Sequence, residues 1–153
     1  MFHVVTRGRL VAAIGVSVVV AAMLAACGGG SSSSDSDVAS AIDFLDKAGL
    51  HGIDESINTD RQVPANAETV FLHAQTVTLL TDWPSEFEDE ANALAQTFAD
   101  AAAAVATDNP DMAKAGEAAT KAHDAEHEFS HNIWAHLQSE AGVASAGGED
   151  HDE

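Results

Sequence analysis

The sequence predicts an all-α protein, and three observations support this prediction. Apolar residues recur every three or four positions across residues 38–140, as they do along one face of a helix. No stretch alternates convincingly between apolar and polar residues, and the chain contains no tyrosine. Three prolines, Pro64, Pro84 and Pro110, stand where one periodic segment gives way to the next. Four helices with short connections favour an up-down-up-down four-helix bundle over residues 38–141.

The first predicted helix is the least regular of the four. Its apolar stripe is Val38, Ala41, Ile42, Leu45 and Ala48. Ser36 or Asp37 would cap its start. The stretch GLHGIDESI, residues 49–57, follows, and its two glycines predict an interruption before a further turn that packs inward through Ile53 and Ile57. We interpret His51 as a polar side chain at the tip of this helix break. The alternative is that His51 contributes to a metal site.

The second and third helices are more regular. The second begins near Pro64, a favourable first-turn residue, and ends near Asp82. Ser85 and Glu88 have the spacing of a capping box at the start of the third helix. The buried face of the second helix is predicted to contain Val63, Ala67, Val70, Ala74 and Val77. The apolar seam of the third helix is predicted to contain Phe87, Ala91, Leu94, Phe98, Ala101 and Val105.

The fourth predicted helix is the longest, at ~45 Å if it is fully helical. It begins at the cap and first-turn pair Asn109-Pro110 and ends near Glu140, before Gly142. Its stripe is Met112, Ala115, Ala119, Ala122, Phe129, Ile133 and either His136 or Leu137. Glu126 falls within this stripe, and a buried carboxylate needs a partner or a proton. The acidic residues 142–153 are predicted to be a disordered tail.

The N-terminal residues carry a separate signal. Arg7 and Arg9 precede an apolar run from Leu10 to Ala26, which ends in Leu24-Ala25-Ala26-Cys27 followed by glycine and serine. This arrangement resembles the lipobox of bacterial lipoproteins. The resemblance implies that residues 1–26 are a signal peptide cut before Cys27, that Cys27 is acylated with diacylglycerol, and that residues 27–37 are a flexible tether. Acylation would hold the protein in the cell envelope, on the outer face of a bacterial membrane. The alternative is an uncleaved transmembrane anchor, because 17 residues lie at the bottom of the spanning range.

The composition after Cys27 excludes several classes of function. Cleavage would leave 127 residues, enough for one domain. Cys27 is the only cysteine, so no intramolecular disulfide and no c-type haem attachment exists, and no thiolate remains for catalysis or metal. Four Lys and Arg residues stand against 25 Asp and Glu, a net charge of −21 with neutral histidines. Such a surface repels nucleic acid and attracts cations or a basic protein partner.

The stretch HDAEHEFSH, residues 123–131, is the strongest candidate for chemistry. Asp124, His127, Glu128 and His131 follow positions i, i+3, i+4 and i+7, so they share one exposed helix face. Imidazole and carboxylate at this spacing are suitable ligands for zinc, copper or nickel. The alternative is a solvated polar face that binds nothing.

A second candidate site joins two helices. His73 lies at the margin of the second helix's apolar face, and in the predicted bundle it stands within roughly one helical turn of His123 in height. His73, His123 and Glu126 would then form a semi-buried trio with an open position for water or an external ligand. The alternative is a hydrogen bond between His73 and Glu126 without metal.

Named catalytic and cofactor motifs fit poorly. Residues 123–127 match the H-x-x-E-H pattern of inverzincin metalloproteases, but few residues follow to supply another ligand, and Glu126 points inward. Di-iron bundles need Glu-x-x-His on two helices, and Glu128–His131 is the one copy. Met112, the only methionine after Cys27, shares a helix with most of the histidines, which argues against haem.

The sequence therefore favours a membrane-anchored helical protein that is not an enzyme. Our leading hypothesis is capture, buffering or delivery of a divalent or transition-metal ion through the fourth helix. Two alternatives remain at this stage. One is a metal-free interaction module for a basic envelope partner, and the other is a histidine-based, pH-responsive module.

Overall fold

A computed structural model describes residues 32–142, with side chains from Asp35 onward, and this part of the chain is all-helical. It contains five helices: α1 (Ser32–Asp46), α2 (Leu50–Asn58), α3 (Ala67–Leu80), α4 (Glu88–Val105) and α5 (Met112–Glu140). No strand occurs in residues 32–142, which confirms the predicted all-α class for this part of the chain. No helix within this range has the length and apolar character needed to cross a bilayer. The predicted signal peptide, Cys27 and most of the predicted tail lie outside the described residues.

The first predicted helix is two helices, divided at the glycine that the sequence indicated. Gly49 has a φ of 81°, a left-handed conformation that favours glycine, and it separates α1 from α2. Gly52 lies inside α2 and does not interrupt it. α1 begins at Ser32, so Ser36 and Asp37 lie within the helix rather than at its cap, and residues 32–37 are not part of a tether. Val38, Ala41, Ile42, Leu45, Ile53 and Ile57 are buried as predicted, whereas Ala48 is only half-buried against the core.

The seam predicted for the third helix is confirmed in α4, whereas its capping box is not. Ala91, Leu94, Phe98, Ala101 and Val105 are buried, and Phe87 packs against the core at half burial. Phe87 occupies the N-cap position, and no side chain caps the helix. In α3 the buried face is rotated slightly from the prediction. It contains Ala67, Phe71, Ala74 and Thr78, with Val70 and Val77 only half-buried.

α5 begins two residues later than predicted. Asp111, not Asn109, is the N-cap, and its Oδ1 accepts hydrogen bonds from the backbone N–H groups of Ala113 (3.0 Å) and Lys114 (3.3 Å). The helix ends at Glu140, and Gly142 takes a φ of 66° just beyond it. Glu126 is 5% exposed, which confirms that an acid lies in the apolar stripe.

Helix packing determines what the histidines of α5 face. α5 packs against α4 and against both α1 and α2, while α3 packs chiefly against α4 and also contacts α1. Phe71, Phe98 and Phe129 are fully buried at the centre of the core. At position 116 a Cβ atom would overlap the Asn58 side chain, so Gly116 permits the close approach of α2 to α5. At the other end of α2, the junction between α1 and α2 lies beside residues 123–134 of α5.

Candidate metal-binding cleft

A cleft of about 470 Å³ lies between the α1–α2 junction and α5. We call it the histidine cleft. Asp46 and His51 line it on the α1–α2 side. Three histidines line it on the α5 side, together with Glu126, Ser130 and Trp134; they are His123, His127 and His131. Four of the seven histidines that follow Cys27 therefore surround one space.

The histidines of α5 form a ladder along one wall of the cleft. Successive members are four residues apart, so each lies one turn further along the helix and is rotated by about 40° from the last. His123 is half-buried, and His127 and His131 are exposed. The His123 and His127 ring centroids are 6.5 Å apart, with the rings nearly perpendicular.

His51 completes the cluster from the opposite wall. The left-handed Gly49 turns the chain into α2, and His51 lies in the first turn of that helix. Its ring centroid is 5.2 Å from that of His123. The sequence favoured a local polar role for His51, with a contribution to a metal site as the alternative, and the structure places its ring at the cleft. The usable signal was the polar stripe His51, Asp54 and Asn58, at positions i, i+3 and i+7 beside the buried stripe of α2.

The ring spacing suits a shared metal ion. Two imidazoles that bind one ion tetrahedrally, with metal–nitrogen distances of ~2.1 Å, have ring centroids about 5 Å apart. The His51–His123 pair has this spacing at 5.2 Å, whereas His123 and His127 at 6.5 Å need a small side-chain rotation. Within residues 32–142, no three His, Cys, Asp or Glu side chains are already arranged around a common ion position. Binding would therefore draw a third ligand inward.

A carboxylate stands behind His123. Asp54 Oδ2 is 3.9 Å from His123 Nδ1. The other oxygen of Asp54 accepts hydrogen bonds from Thr120 Oγ1 (2.6 Å) and Asn58 Nδ2 (2.8 Å), which fixes the carboxylate in place. Histidine ligands of metals commonly present their second ring nitrogen to such a carboxylate. At 3.9 Å the two groups are not hydrogen-bonded, so a small side-chain rotation would be needed for Asp54 to hold the Nδ1 proton and leave Nε2 of His123 for an ion.

Glu126 forms the buried acid of the cleft. Ser130 Oγ donates a hydrogen bond of 2.7 Å to Glu126 Oε1. Burial raises the pKa of Glu126, the Ser130 hydrogen bond and His127 lower it, and the nearby Asp46 carboxyl group raises it. Asp46 in turn accepts a hydrogen bond of 3.1 Å from Trp134 Nε1. Two carboxyl groups therefore lie next to the histidines.

The structure divides the exposed quartet predicted from the sequence. His127 and His131 line the cleft, whereas Asp124 and Glu128 are exposed and do not line it. On a helix these two acids lie further around the circumference than the histidines, toward open solvent. They are therefore not brought together with His51 or Glu126.

The structure also separates the predicted trio. His73 is exposed on α3, which packs chiefly against α4. Glu126 faces Ser130 and Asp46, and His123 faces His51 and Asp54. The sequence placed His73 at the margin of the buried face of its helix, but this side chain is exposed, and the helices that pack against α5 are α4, α2 and α1.

His136 belongs to a separate polar cluster. Its Nδ1 is 3.4 Å from Glu86 Oε1, and its Nε2 is 3.7 Å from Glu140 Oε2. Phe87 packs edge-on against the ring, with centroids 5.3 Å apart. His136 is therefore paired with carboxylates away from the histidine cleft.

No protein-family model, curated protein or solved structure matches this chain. The side chains of the cleft and the lipobox resemblance are the features that point to a function.

Proposed function

We propose that this protein is a bacterial envelope lipoprotein whose helical domain binds a divalent first-row transition-metal ion in the histidine cleft. Acylated Cys27 anchors it to the outer face of a membrane. The domain is an up-down-up-down bundle in which α1 and α2 together occupy the first position. Zinc, copper and nickel are the candidate ions, and the role is capture, buffering or delivery rather than catalysis.

The approach of His51 to His123 carries this proposal. The two residues are far apart in sequence and lie on different helices, yet their ring centroids are 5.2 Å apart at a cleft. His127 follows His123 by one helical turn, the spacing at which two histidines of one helix chelate one zinc ion. A site with His51, His123 and His127 as ligands would leave a position for water or for a carboxylate of Asp46 or Glu126.

The charge around the cleft favours a cation. Its lining contains Asp46 and Glu126 but no lysine or arginine. Asp54 adds a third carboxylate behind His123. The whole chain carries a formal charge of −19 at pH 7. This excess of negative charge raises the local concentration of cations at low ionic strength, and salt screens the effect.

The cluster around His136 supports a second candidate function, response to pH. Protonation would place a positive charge between Glu86 and Glu140, at 3.4 Å and 3.7 Å. Asp35 and Asp82 line the same cavity, so every other charged group that lines it is acidic. A circular-dichroism melt of the parent and of His136→Gln tests this candidate. Identical changes in melting temperature between about pH 5 and 8 in both proteins would exclude it.

Calorimetric titration of residues 28–153 with zinc and with copper tests the metal proposal. We expect micromolar or tighter binding that disappears in a His123→Ala/His127→Ala/His131→Ala variant. A matched Asp124→Ala/Glu128→Ala variant changes acids that do not line the cleft, so it should retain the binding. A parent that binds neither ion more tightly than millimolar at neutral pH would refute the proposal.

A further inference from the structure

We propose that Leu79 and Leu80, at the end of α3, contact the surface of the lipid bilayer to which the chain is anchored. The inference rests on the proposed acylation of Cys27, and it is independent of metal binding. The interaction surface is the exposed end of α3, and its partner is electrically neutral lipid.

These two leucines carry the most exposed large apolar side chains in residues 32–142. Leu80 is 80% exposed and Leu79 is 56% exposed, whereas Phe44 and Leu72 are 43% and 41% exposed. Thr81 follows in an extended conformation, so the chain leaves the helix immediately after Leu80. Two adjacent leucines left in water at one helix end are unfavourable unless another apolar phase covers them.

The end of α3 lies at the same end of the domain as the start of α1. Asp35 and Val38, in the first turns of α1, line one cavity together with Asp82, Trp83 and Pro84. Leu80 precedes Asp82 by two residues. The leucines therefore lie near the point where the chain enters the domain from Cys27.

The chain between Cys27 and α1 is short. Ser32 begins α1, five residues after Cys27. Five residues span at most about 18 Å. Because the acyl chains place Cys27 at the bilayer surface, this end of the domain cannot move far from the lipid. Such tethering gives a high effective concentration, so a small apolar contact is enough to orient the domain.

Charge restricts the type of lipid. Asp35, Asp82, Glu86 and Glu140 line the cavity at this end of the domain. An anionic bilayer repels these carboxylates, whereas a zwitterionic surface does not. Contact through the leucines should therefore be stronger on phosphatidylcholine vesicles than on vesicles rich in anionic lipid.

Site-specific fluorescence of the full acylated protein tests the contact. Leu80→Cys introduces the only free thiol, because Cys27 is blocked by acylation, and an environment-sensitive dye is attached there. Leu72→Cys and Phe44→Cys serve as matched controls. Both positions are exposed and apolar, and Leu72 lies ~12 Å back along α3 from Leu80. Phosphatidylcholine vesicles are the probe, flotation reports binding, and iodide reports exposure of the dye to water.

We expect the protein to float with the vesicles, and the dye at position 80 to shift to shorter wavelength and lose most of its quenching by iodide. Dyes at positions 72 and 44 should remain water-exposed. Flotation with no change at position 80 would overturn the contact while leaving the lipid anchor intact. Equal shifts at positions 72 and 80 would also overturn it, because the side of α3 rather than its end would then face the lipid. An acylation-competent chain that fails to float would refute the anchor itself.

Discussion

Gly116→Ala should destabilise the domain, although glycine-to-alanine changes inside a helix usually stabilise. Position 116 lies within α5, where alanine is favoured over glycine by about 1 kcal/mol. A Cβ atom there would overlap Asn58 Oδ1, so the Asn58 side chain must move. Asn58 Nδ2 then loses its contacts to Asp54 Oδ1 (2.8 Å), Thr120 Oγ1 (3.1 Å) and the Gly116 carbonyl (3.3 Å).

The expected magnitude follows from these contacts. Hydrogen bonds contribute ~0.5–1.5 kcal/mol each, and the two exposed ones lie at the low end of that range, so the loss is about 2 kcal/mol. Subtracting the helix-propensity gain of about 1 kcal/mol leaves a net destabilisation of about 1 kcal/mol. In an Asn58→Ala background the clash is absent, and the same Gly116→Ala change should stabilise by up to about 1 kcal/mol.

Urea unfolding measures whether the effect of Gly116→Ala on the free energy of unfolding reverses sign. The proteins compared are the parent, both single variants and the double variant. The cycle isolates the contact between α2 and α5 from the intrinsic effect of alanine. If Gly116→Ala stabilises the parent and the Asn58→Ala protein equally, Gly116 is not required for the close approach. The placement of α2, and of His51 within it, would then not depend on this contact.

Two other predictions concern Glu126, which lines the cleft, and Asp54, which lies behind His123. The pKa of Glu126 is raised in the folded state, so folding favours the protonated form of this side chain. Its contribution to the free energy of unfolding is complete at pH values below the unfolded-state pKa, and it is lost as pH rises through the folded-state pKa. Glu126→Gln keeps the shape of the side chain and should remove this loss of stability with rising pH. Urea unfolding across about pH 4 to 8 measures the loss. An equal loss in the parent and the variant would contradict a raised pKa for Glu126. Asp54→Asn should weaken zinc binding by roughly 10–100-fold, because it removes the carboxylate behind His123. Calorimetry measures that loss, and an unchanged affinity would show that Asp54 does not position His123.

Local patterns predicted much of the fold. The 4-3-4-3-4 spacing from Phe87 to Val105 identified the buried face of α4, and the pair of glycines in residues 49–57 identified the break that Gly49 makes. Both features depend only on helix periodicity and on the conformational freedom of glycine. Helix starts were less predictable. Asp111 caps α5 where Asn109 was expected, and Phe87 displaces the Ser85–Glu88 capping box, because tertiary packing sets the entry of the chain.

The site was predictable on one helix but not between helices. The histidines of α5 and the buried Glu126 follow from the sequence of that helix alone. His51 and His73 could not be ranked, because which of them reaches His123 depends on which helices are neighbours. The structure packs α2 against α5 and leaves His73 exposed on α3. The polar stripe His51, Asp54 and Asn58 marks one face of α2 in the sequence, but it does not show which helix that face meets.

Zinc calorimetry of His51→Ala beside His73→Ala is the sharpest test of a metal site between α2 and α5. Both changes remove one exposed histidine, but only His51 lies 5.2 Å from His123 across the cleft. We predict that His51→Ala weakens zinc binding by roughly tenfold or more, as the loss of one inner ligand should, and that His73→Ala matches the parent. Equal affinities in the two variants would contradict a metal site between α2 and α5.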